Sequence, residues 1–185
     1  MKPERTVLVT GCSDGSLGSA LALAFHAAGW RVFASARNVS KMAVMKENGI
    51  EQVELDIQSS ESISRAVETI QAQTGGSLDA LINNAGLGYS MPLMYTDMGA
   101  LRQLFELNAC SNVTIPRAFL PLLLASKQKK TLIANNTSGM GMLGCGMPFQ
   151  GGYSASKAEA ASLTESLRME LAPLVFKSSI SLQVE

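Results

Sequence analysis

TVLVTGCSDGSLG, residues 6–18, joins a short apolar run to a glycine-rich loop and decides the fold of this 185-residue chain. The β-branched residues 6–10 predict a buried strand, and the Ala/Leu-rich residues 17–28 predict a helix. Gly11 and Gly15 lie between the predicted strand and the predicted helix, and Gly18 lies at the start of the helix. Glycine lets a backbone turn tightly and approach a pyrophosphate, which a helix N-terminus attracts through its N–H groups and dipole. Glycines also form ordinary turns, so the loop alone leaves both interpretations open.

Strand and helix signals alternate along the rest of the chain. The predicted strands are residues 6–10, 31–35, 52–57, 78–83, 131–135 and 178–184, and the predicted helices are residues 17–28, 39–48, 60–74, 97–126 and 154–171. Ser60 is the predicted cap of the third helix. Strands separated by helices form parallel sheets that are covered by helices on both faces. The sequence therefore predicts a single α/β domain over residues 1–185, a doubly wound parallel sheet (Rossmann fold) with ligands at the carboxyl ends of its strands.

The composition favours a small-molecule site over a macromolecular surface. Fifteen Lys and Arg balance fifteen Asp and Glu, so the chain has no electrostatic footprint for nucleic acid or an anionic membrane. The apolar residues, 46% of the chain, suffice for a sizeable core but form no run of the length that a spanning helix needs. The N-terminal apolar run is too short for a signal peptide, and the three cysteines are too widely spaced for a disulfide framework or a zinc site. We therefore expect a cytoplasmic protein without a bound metal.

A second motif lies far downstream, in GGYSASKAEAASL at residues 151–163. Tyr153 and Lys157 are four residues apart, so a helix places them on one face, one turn apart. A phenol ordinarily has a pKa of about 10, and a neighbouring cation favours its deprotonated form, as acid–base catalysis at neutral pH requires. Such pairs also occur by chance in many helices. In combination with the glycine-rich loop, the pair predicts proton transfer beside a bound dinucleotide.

The end of the second predicted strand, SARN at residues 35–38, indicates the phosphorylated cofactor. NAD enzymes usually carry an acidic residue here for the ribose 2′-hydroxyl, whereas this chain has Ala36 and Arg37. An arginine fork matches a 2′-phosphate, so we expect NADPH rather than NADH; a solvated surface charge is the alternative. Asp56, after the third strand, is a candidate partner of the adenine amino group or a turn residue. Asp14, inside the glycine-rich loop, would repel phosphates unless its carboxylate points away.

Taken together, these motifs resemble those of the short-chain dehydrogenases/reductases. The marks of that family are a TGxxxGxG loop, an NNAG tetrapeptide, a catalytic Asn, a Ser and a YxxxK pair. Here they read TGCSDGSLG at residues 10–18, NNAG at residues 83–86, Asn108 in LFELNAC, Ser138 in NNTSG, and Tyr153 with Lys157. The five motifs follow the order of the family over essentially the whole chain. TGCS, SARN, NNTS and PFQGGYSASKA are most similar to the fungal branch of NADPH-dependent 1-acyldihydroxyacetone-phosphate reductases.

The resemblance implies a catalytic set of Asn108, Ser138, Tyr153 and Lys157. Ser138 and Tyr153 would hydrogen-bond the oxygen of the substrate carbonyl, and Tyr153 would donate the proton to it. Lys157 would favour the phenolate and hold the nicotinamide ribose, and Asn108 would anchor a water that links Lys157 to solvent. The implied NADP(H) site consists of Gly11, Ser13, Gly15, Leu17, Gly18, Arg37, Asp56, Asn84, Ala85, Gly86, Tyr153 and Lys157.

The implied function is the NADPH-dependent reduction of a carbonyl to a secondary alcohol on a lipophilic substrate. Candidate substrates are 1-acyldihydroxyacetone phosphate and steroid- or polyketide-like ketones. The family also implies a homodimer or tetramer. The lipid branch implies peripheral association with the endoplasmic reticulum or lipid droplets.

Three features depart from the family pattern. The glycine-rich loop has one extra residue between Gly15 and Gly18, and the interval from Ser138 to Tyr153 is also longer than usual. Both insertions lie in loops, which tolerate them, although Thr137 is then an alternative to Ser138. We also expect the sheet to be truncated after the sixth strand, without the C-terminal substrate segment of the family. A non-catalytic NADP(H)-binding remnant or regulatory module is therefore the alternative function.

Overall fold

Six parallel strands form one sheet in the computed structural model, which describes residues 5–128, 131–142, 146–174 and 180–182. The strands are β1 (Thr6–Thr10), β2 (Arg31–Ala36), β3 (Glu51–Glu54), β4 (Ala80–Asn83), β5 (Leu132–Asn136) and β6 (Ile180–Leu182). The helices are α1 (Leu17–Ala27), α2 (Ala43–Glu47), α3 (Ser60–Thr74), α4 (Met98–Phe105), α5 (Ser111–Leu124) and α6 (Gly151–Leu171). The predicted α/β Rossmann-type sheet is confirmed.

The strand order β3-β2-β1-β4-β5-β6 places a switch point between β1 and β4. From β1 the chain moves outward to β2 and β3, and it then returns to the other side of β1 and moves outward again. Val7 of β1 pairs with both Val32 of β2 and Ala80 of β4, so the first strand is central. Connections that leave in opposite directions open a crevice at the carboxyl ends of the two strands, where ligands bind in such sheets.

Two apolar clusters, one on each face of the sheet, form the core. Successive side chains of a strand point to opposite faces, so Leu8 belongs to one cluster and Val7 and Val9 belong to the other. Leu81 and Ile133 continue the first cluster on neighbouring strands. Because both faces are covered, β1 and β4 are buried along their whole length, as the continuous run at residues 6–10 predicts for β1.

Short polar side chains begin three of the helices. Each N-cap side chain accepts a hydrogen bond from the N–H group three residues later, which would otherwise have no partner in the first turn. The three caps are Ser16 for α1, Ser59 for α3 and Asp97 for α4. The prediction of Ser60 as the cap is wrong by one residue, because Ser60 is the first residue of α3 itself.

The third strand and the second helix differ from their predicted bounds. β3 ends at Glu54, opposite Ala36, the last residue of β2, so the chain leaves the ladder three residues before the predicted end at residue 57. The predicted helix at residues 39–48 is divided into a 3₁₀ turn, Val39–Lys41, and α2. Pairing with β2 sets where β3 ends, whereas the sequence pattern left the division between the 3₁₀ turn and α2 unmarked.

The long predicted helix at residues 97–126 contains a change of helical pitch. A π-helical turn, Glu106–Cys110, separates α4 from α5. α6 begins at residue 151, three residues before its predicted start. Of the predicted last strand, residues 180–182 form β6, and the other positions lie outside the described residues.

Candidate cofactor and active site

A cavity of about 740 Å³ opens at the carboxyl ends of the strands. The residues that line it follow β1, β2, β3, β4 and β5, or lie on α4 and α6 and in the π-helical turn. They are Gly11, Ser13, Ser16, Leu17, Ala36, Arg37, Leu55, Ile57, Gln58, Asn84, Ala85, Gly86, Leu87, Gly88, Tyr89, Ala100, Gln103, Leu104, Leu107, Asn136, Tyr153 and Lys157. The cavity therefore spans the switch point from the glycine-rich loop to the YxxxK pair.

The glycine-rich loop requires glycine at Gly18 for a steric reason. A Cβ atom there would lie 2.3 Å from the Gly11 carbonyl oxygen and 2.5 Å from the Asn84 side-chain nitrogen. Gly11 has φ +75°, and a Cβ atom on it would lie 2.9 Å from the Ala85 Cα. These close approaches bring the main chain of the loop and the N-terminus of α1, at Leu17, to the cavity wall. The backbone and helix dipole there fit an anionic pyrophosphate.

A ladder of polar side chains joins the carboxyl ends of β1, β4 and β5. The Thr10 hydroxyl accepts hydrogen bonds from the N–H groups of Asn84, over 2.9 Å, and Ala85, over 3.0 Å. The Asn84 side-chain nitrogen donates to the Thr10 carbonyl over 2.9 Å, and its side-chain oxygen accepts from the Asn136 amide over 3.0 Å. The NNAG tetrapeptide is thus held against the glycine-rich loop, and it forms the floor of the cavity.

Lys157 and Tyr153 face the cavity from consecutive turns of α6. The Lys157 ammonium lies 5.9 Å from the centre of the Tyr153 ring and donates a hydrogen bond to the Asn136 carbonyl over 3.0 Å. Only 5% of the Lys157 surface is exposed, and this burial lowers the pKa of its ammonium below the ordinary 10.5. The predicted pair is therefore brought together, with the lysine buried and the phenol half-buried.

Asn108 lies in the π-helical turn, behind the NNAG tetrapeptide. Its side-chain oxygen accepts from the Leu87 N–H, and its side-chain nitrogen donates to the Leu87 carbonyl, each over 2.9 Å. The same nitrogen donates to the Ser156 hydroxyl over 3.1 Å, and Ser156 donates to the Tyr153 carbonyl over 2.7 Å. Asn108 thus couples the loop after β4 to the turn of α6 that carries Tyr153. Single π-helical turns are frequent at functional sites.

Among the residues that the structure describes, the cavity lining contains two cations, Arg37 and Lys157, and no carboxylate. Two nearby carboxylates are directed to main-chain N–H groups. The Asp14 carboxylate accepts from the N–H groups of Ala43 and Val44, and the Asp56 carboxylate accepts from the Gln58 N–H over 3.0 Å. The carboxylate of Asp14 therefore points away from the loop, which removes the expected repulsion.

The structure brings most, but not all, of the predicted site residues to the cavity. Those that line it are Gly11, Ser13, Leu17, Arg37, Asn84, Ala85, Gly86, Tyr153 and Lys157. Those outside the lining are Gly15, Gly18, Asp56, Asn108 and Ser138. Gly18 allows the close approach of Gly11, and Asn108 bonds to Leu87 and Ser156, so both shape the cavity without lining it. The Ser138 hydroxyl accepts from the Met140 N–H over 3.2 Å, at the start of a 3₁₀ turn, and its catalytic role stays a prediction.

Sequence reasoning missed several residues that build the site. Thr10 and Asn136 were not assigned roles, although each ends a strand at the cavity edge, and that position is the available signal. Ser156, which links Asn108 to α6, lies inside the YSASK motif without a pattern of its own. Leu104 and Leu107 line the cavity but read as ordinary core positions of a helix.

Cys12 lies in the glycine-rich loop but carries no reactive thiol. Its side chain is fully buried and lies 3.2 Å from the Val9 carbonyl and 3.5 Å from the Gly18 carbonyl, which accept its S–H. Burial raises the pKa of the Cys12 thiol to about 12, so the thiolate is not populated at neutral pH. The thiol therefore contributes packing to the loop and no redox or nucleophilic chemistry.

Comparison with known proteins identifies the family to which this fold and site belong. A family model described as short chain dehydrogenase matches residues 5–179. The chain belongs to the short-chain dehydrogenase family. Members of this family are oxidoreductases that bind a nicotinamide cofactor, so the resemblance stated from the motifs is confirmed.

Three relatives show how far the similarity extends. The chain is 44% identical over 171 residues to a short-chain dehydrogenase of Penicillium ochrochloron, covering 92% of this chain and 61% of the relative. It is 35% identical over 175 residues to the NADPH-dependent 1-acyldihydroxyacetone phosphate reductase of Schizosaccharomyces pombe, covering 94% and 57%. A solved metagenomic short-chain oxidoreductase in complex with NADP superimposes with a TM-score of 0.87 at 28% identity, covering 98% and 82%.

The chain spans about three fifths of the length of the curated short-chain dehydrogenases it matches, 61% of one and 56% of another. Across the described residues, no helix combines the length and apolar character that crossing a bilayer requires. Within the same ranges, no group of three or more His, Cys, Asp or Glu side chains is placed to hold a metal ion.

Proposed function

We propose that this chain carries the site of an NADP(H)-dependent short-chain reductase that converts a carbonyl to a secondary alcohol on a lipophilic substrate. The observation that carries the proposal is the placement of Tyr153 and Lys157 at one end of a cavity whose lining also includes Arg37. Tyr153 and Lys157 would supply proton transfer, and Arg37 would supply a positive charge suited to a 2′-phosphate. The bound cofactor would supply hydride to the carbonyl carbon.

Tyr153 is the proton donor in this proposal. Its phenol lines the cavity, and it would hydrogen-bond the carbonyl oxygen and transfer its proton as negative charge develops there. Lys157 favours the charged transition state electrostatically, because its ammonium lies near the Tyr153 ring in a buried, weakly screened setting. Ser138 would be the second donor to the oxygen, and Asn108 would hold the Tyr153 turn in place through Ser156.

Arg37 supports the preference for NADPH. Its side chain lines the cavity together with Ser13, and the described part of the lining holds no carboxylate to accept a ribose 2′-hydroxyl. The Schizosaccharomyces pombe relative is described as NADPH-dependent, and the metagenomic neighbour was solved with NADP. The cavity lining around Arg37 is consistent with the phosphorylated cofactor named for both of these proteins.

Apolar residues near the YxxxK pair support a lipophilic substrate. Leu87, Leu104 and Leu107 line the cavity, and Leu93, which is 62% exposed, has its side chain beside Gly151 at the start of α6. Burial of such surface against an apolar ligand is favourable. Candidate substrates are 1-acyldihydroxyacetone phosphate and steroid- or polyketide-like ketones.

The test is NADPH oxidation by the purified protein across a panel of acylated and polycyclic ketones. We expect turnover with at least one lipophilic ketone and its loss by a factor of about 100 or more in Tyr153→Phe, because general acid catalysis contributes on that scale. Tyr95→Phe is the matched control, since Tyr95 is 82% exposed and does not line the cavity. Equal rates in the wild type and Tyr153→Phe would overturn the proposal.

The alternative is a non-catalytic NADP(H)-binding module, which the position of Ser138 outside the cavity lining favours. It predicts tight NADPH binding with no ketone reduction by any member of the panel. Binding measured by cofactor fluorescence in the same samples separates the two outcomes.

The assembly and location of the protein belong to the same proposal. We expect a homodimer or tetramer in the cytoplasm, with peripheral association at the endoplasmic reticulum or lipid droplets. Light scattering after size exclusion gives the mass in solution, and flotation with liposomes of phosphatidylcholine and triacylglycerol gives the membrane association.

A further inference from the structure

Asp14 fastens the glycine-rich loop to the stretch of chain that follows Arg37. The Asp14 N–H donates to the Lys41 carbonyl over 2.7 Å. The Asp14 carboxylate accepts hydrogen bonds from the Ala43 N–H, over 2.9 Å, and from the Val44 N–H, over 3.1 Å. A single exposed residue of the loop thus makes three attachments to one short stretch of main chain.

The chain between Arg37 and the residues that Asp14 holds, Lys41, Ala43 and Val44, is solvent-facing. Residues 37–41 are all exposed, and they lie between the buried side chains of Ala36 and Met42. Within the stretch, the Asn38 side-chain oxygen accepts from the N–H and hydroxyl of Ser40, over 2.9 and 2.7 Å. These bonds shape the turn internally without attaching it to the glycine-rich loop. The Cys12 N–H donates to the Ser35 carbonyl over 2.8 Å and ties the start of the loop to β2, so the bonds of Asp14 attach the loop at the far side of the stretch.

Ser13 and Arg37 form the two sides of this end of the cavity. Ser13 precedes Asp14 in the loop, Arg37 precedes Lys41, the first residue that Asp14 holds, by one exposed turn of chain, and both Ser13 and Arg37 line the cavity. A phosphate bound between them would need both sides at a fixed distance, because an arginine fork recognises a phosphate through directional paired bonds. A small displacement of a positioning element weakens such recognition strongly.

We propose that Asp14 is a positioning residue for cofactor specificity, which sets the affinity for the 2′-phosphate by holding Ser13 and Arg37 at a fixed separation. The inference rests on the NADP(H) preference proposed above and adds to it a residue that does not touch the cofactor. A purely structural role, as the cap of α2, would change the binding of NADPH and NADH by the same factor or change neither.

The experiment measures the dissociation constants of NADPH and NADH, and of adenosine 2′,5′-bisphosphate and adenosine 5′-monophosphate, for the wild type and three variants. Asp14→Ala removes both carboxylate bonds, and Asp14→Asn keeps one acceptor. Asp97→Ala is the matched control, because Asp97 is also an exposed carboxylate that caps a helix, α4, through the Ala100 N–H over 2.8 Å. It has no bond to the stretch after Arg37.

We expect Asp14→Ala to weaken NADPH and the 2′,5′-bisphosphate by about tenfold, with less than a twofold change for NADH and the monophosphate, given the energies of capping bonds. Asp14→Asn should show about a threefold loss in the same direction. Asp97→Ala should leave all four constants within about twofold. If Asp14→Ala does not fold, as judged by circular dichroism, the Asp14→Asn values decide.

The outcomes separate this inference from the function on which it rests. A wild-type protein that binds NADPH no more tightly than NADH would overturn the proposed cofactor and this inference together. A wild-type preference for NADPH that the Asp14 variants leave unchanged, or a loss that affects both cofactors equally, would overturn the inference alone.

Discussion

Gly18 shows how a single hydrogen atom in place of a methyl group fixes the cofactor end of the cavity. The Cβ of an alanine there would fall inside contact distance of the Gly11 carbonyl, a backbone group that cannot move without the strand behind it. We expect Gly18→Ala to lower the free energy of unfolding by about 3 kcal/mol or more and to abolish NADPH binding.

The matched control for this prediction is Gly15→Ala. Gly15 has φ +75° with open space around it, so alanine there meets only backbone strain of about 1–2 kcal/mol. Urea unfolding and cofactor fluorescence measure both quantities. Equal destabilisation by the two substitutions would contradict the steric explanation.

Lys157 predicts a pH dependence with a definite sign. Burial lowers its pKa in the folded state, so between that pKa and the ordinary 10.5 the unfolded chain binds more protons than the folded one. The free energy of unfolding therefore increases as the pH rises across that interval, by at most about 1.4 kcal/mol per pH unit.

The measurement compares Lys157 with Lys157→Met, each in a Tyr153→Phe background that removes the neighbouring phenol. Urea unfolding at several pH values should show the stability difference moving in favour of lysine as pH rises toward 10.5. A difference that stays flat or moves in favour of methionine would contradict the burial of a charged ammonium.

The sequence predicts some of these residues well and others not at all. Tyr153 and Lys157 were predictable because helical spacing alone puts them together. Arg37 was predictable because it comes at the end of the second predicted strand. Asn136 was not predictable as the acceptor for Lys157, since its contribution is a backbone carbonyl that any residue could supply. The direction of the Asp14 carboxylate depends on α2, whose bounds the sequence did not fix.

The π-helical turn Glu106–Cys110 is the element on which the active-site end depends most. It presents Asn108 to both main-chain polar groups of Leu87, in the loop after β4. We expect Asn108→Ala to cost about 1–3 kcal/mol of unfolding free energy, because it removes the three hydrogen bonds of a buried side chain, one of them to the buried Ser156 hydroxyl.

Asn108→Asp is the graded comparison for this prediction. Aspartate keeps an acceptor for the Leu87 N–H but loses the donor to the Leu87 carbonyl and to Ser156. Amide exchange at residue 87, followed by NMR, should be fast in the alanine variant and remain protected in the aspartate variant. Protection in both variants would show that another group holds the loop.

Element type was predictable from the sequence, whereas several element boundaries were not. The sequence pattern predicted each of the six strands, but it predicted α4 and α5 as one helix, and β3 stops where β2 stops, which only pairing decides. Ser59 and Ser60 have the same intrinsic capping tendency, so propensity cannot choose between them. The π-helical turn inserts one residue into a continuous helical pattern and leaves no mark in composition.

Cofactor binding should be visible in the stability of the whole molecule. A ligand that binds only the folded state stabilises it by about 2.7 kcal/mol at a concentration 100 times its dissociation constant. For a chain of this size that raises the melting temperature by about 5–10 °C. We expect this shift with NADPH, and a smaller one with NADPH in Arg37→Ala.

NADH serves as the internal control in the same melts. It should shift the wild type and Arg37→Ala alike, since it lacks the 2′-phosphate. A larger shift with NADH than with NADPH in the wild type would contradict the proposed role of Arg37.

Across the described chain, the cavity is lined by the cations Arg37 and Lys157 without a carboxylate, and this has a kinetic consequence. The whole chain is electrically neutral, so its attraction for an anion comes from this local field and not from net charge. Stopped-flow mixing should show the association rate of NADPH falling several-fold as the salt concentration rises from about 0.03 to about 0.3 M, while the dissociation rate changes little. An anionic cofactor is thus attracted to the cavity mouth before any contact forms, and its association rate is highest at low salt concentration.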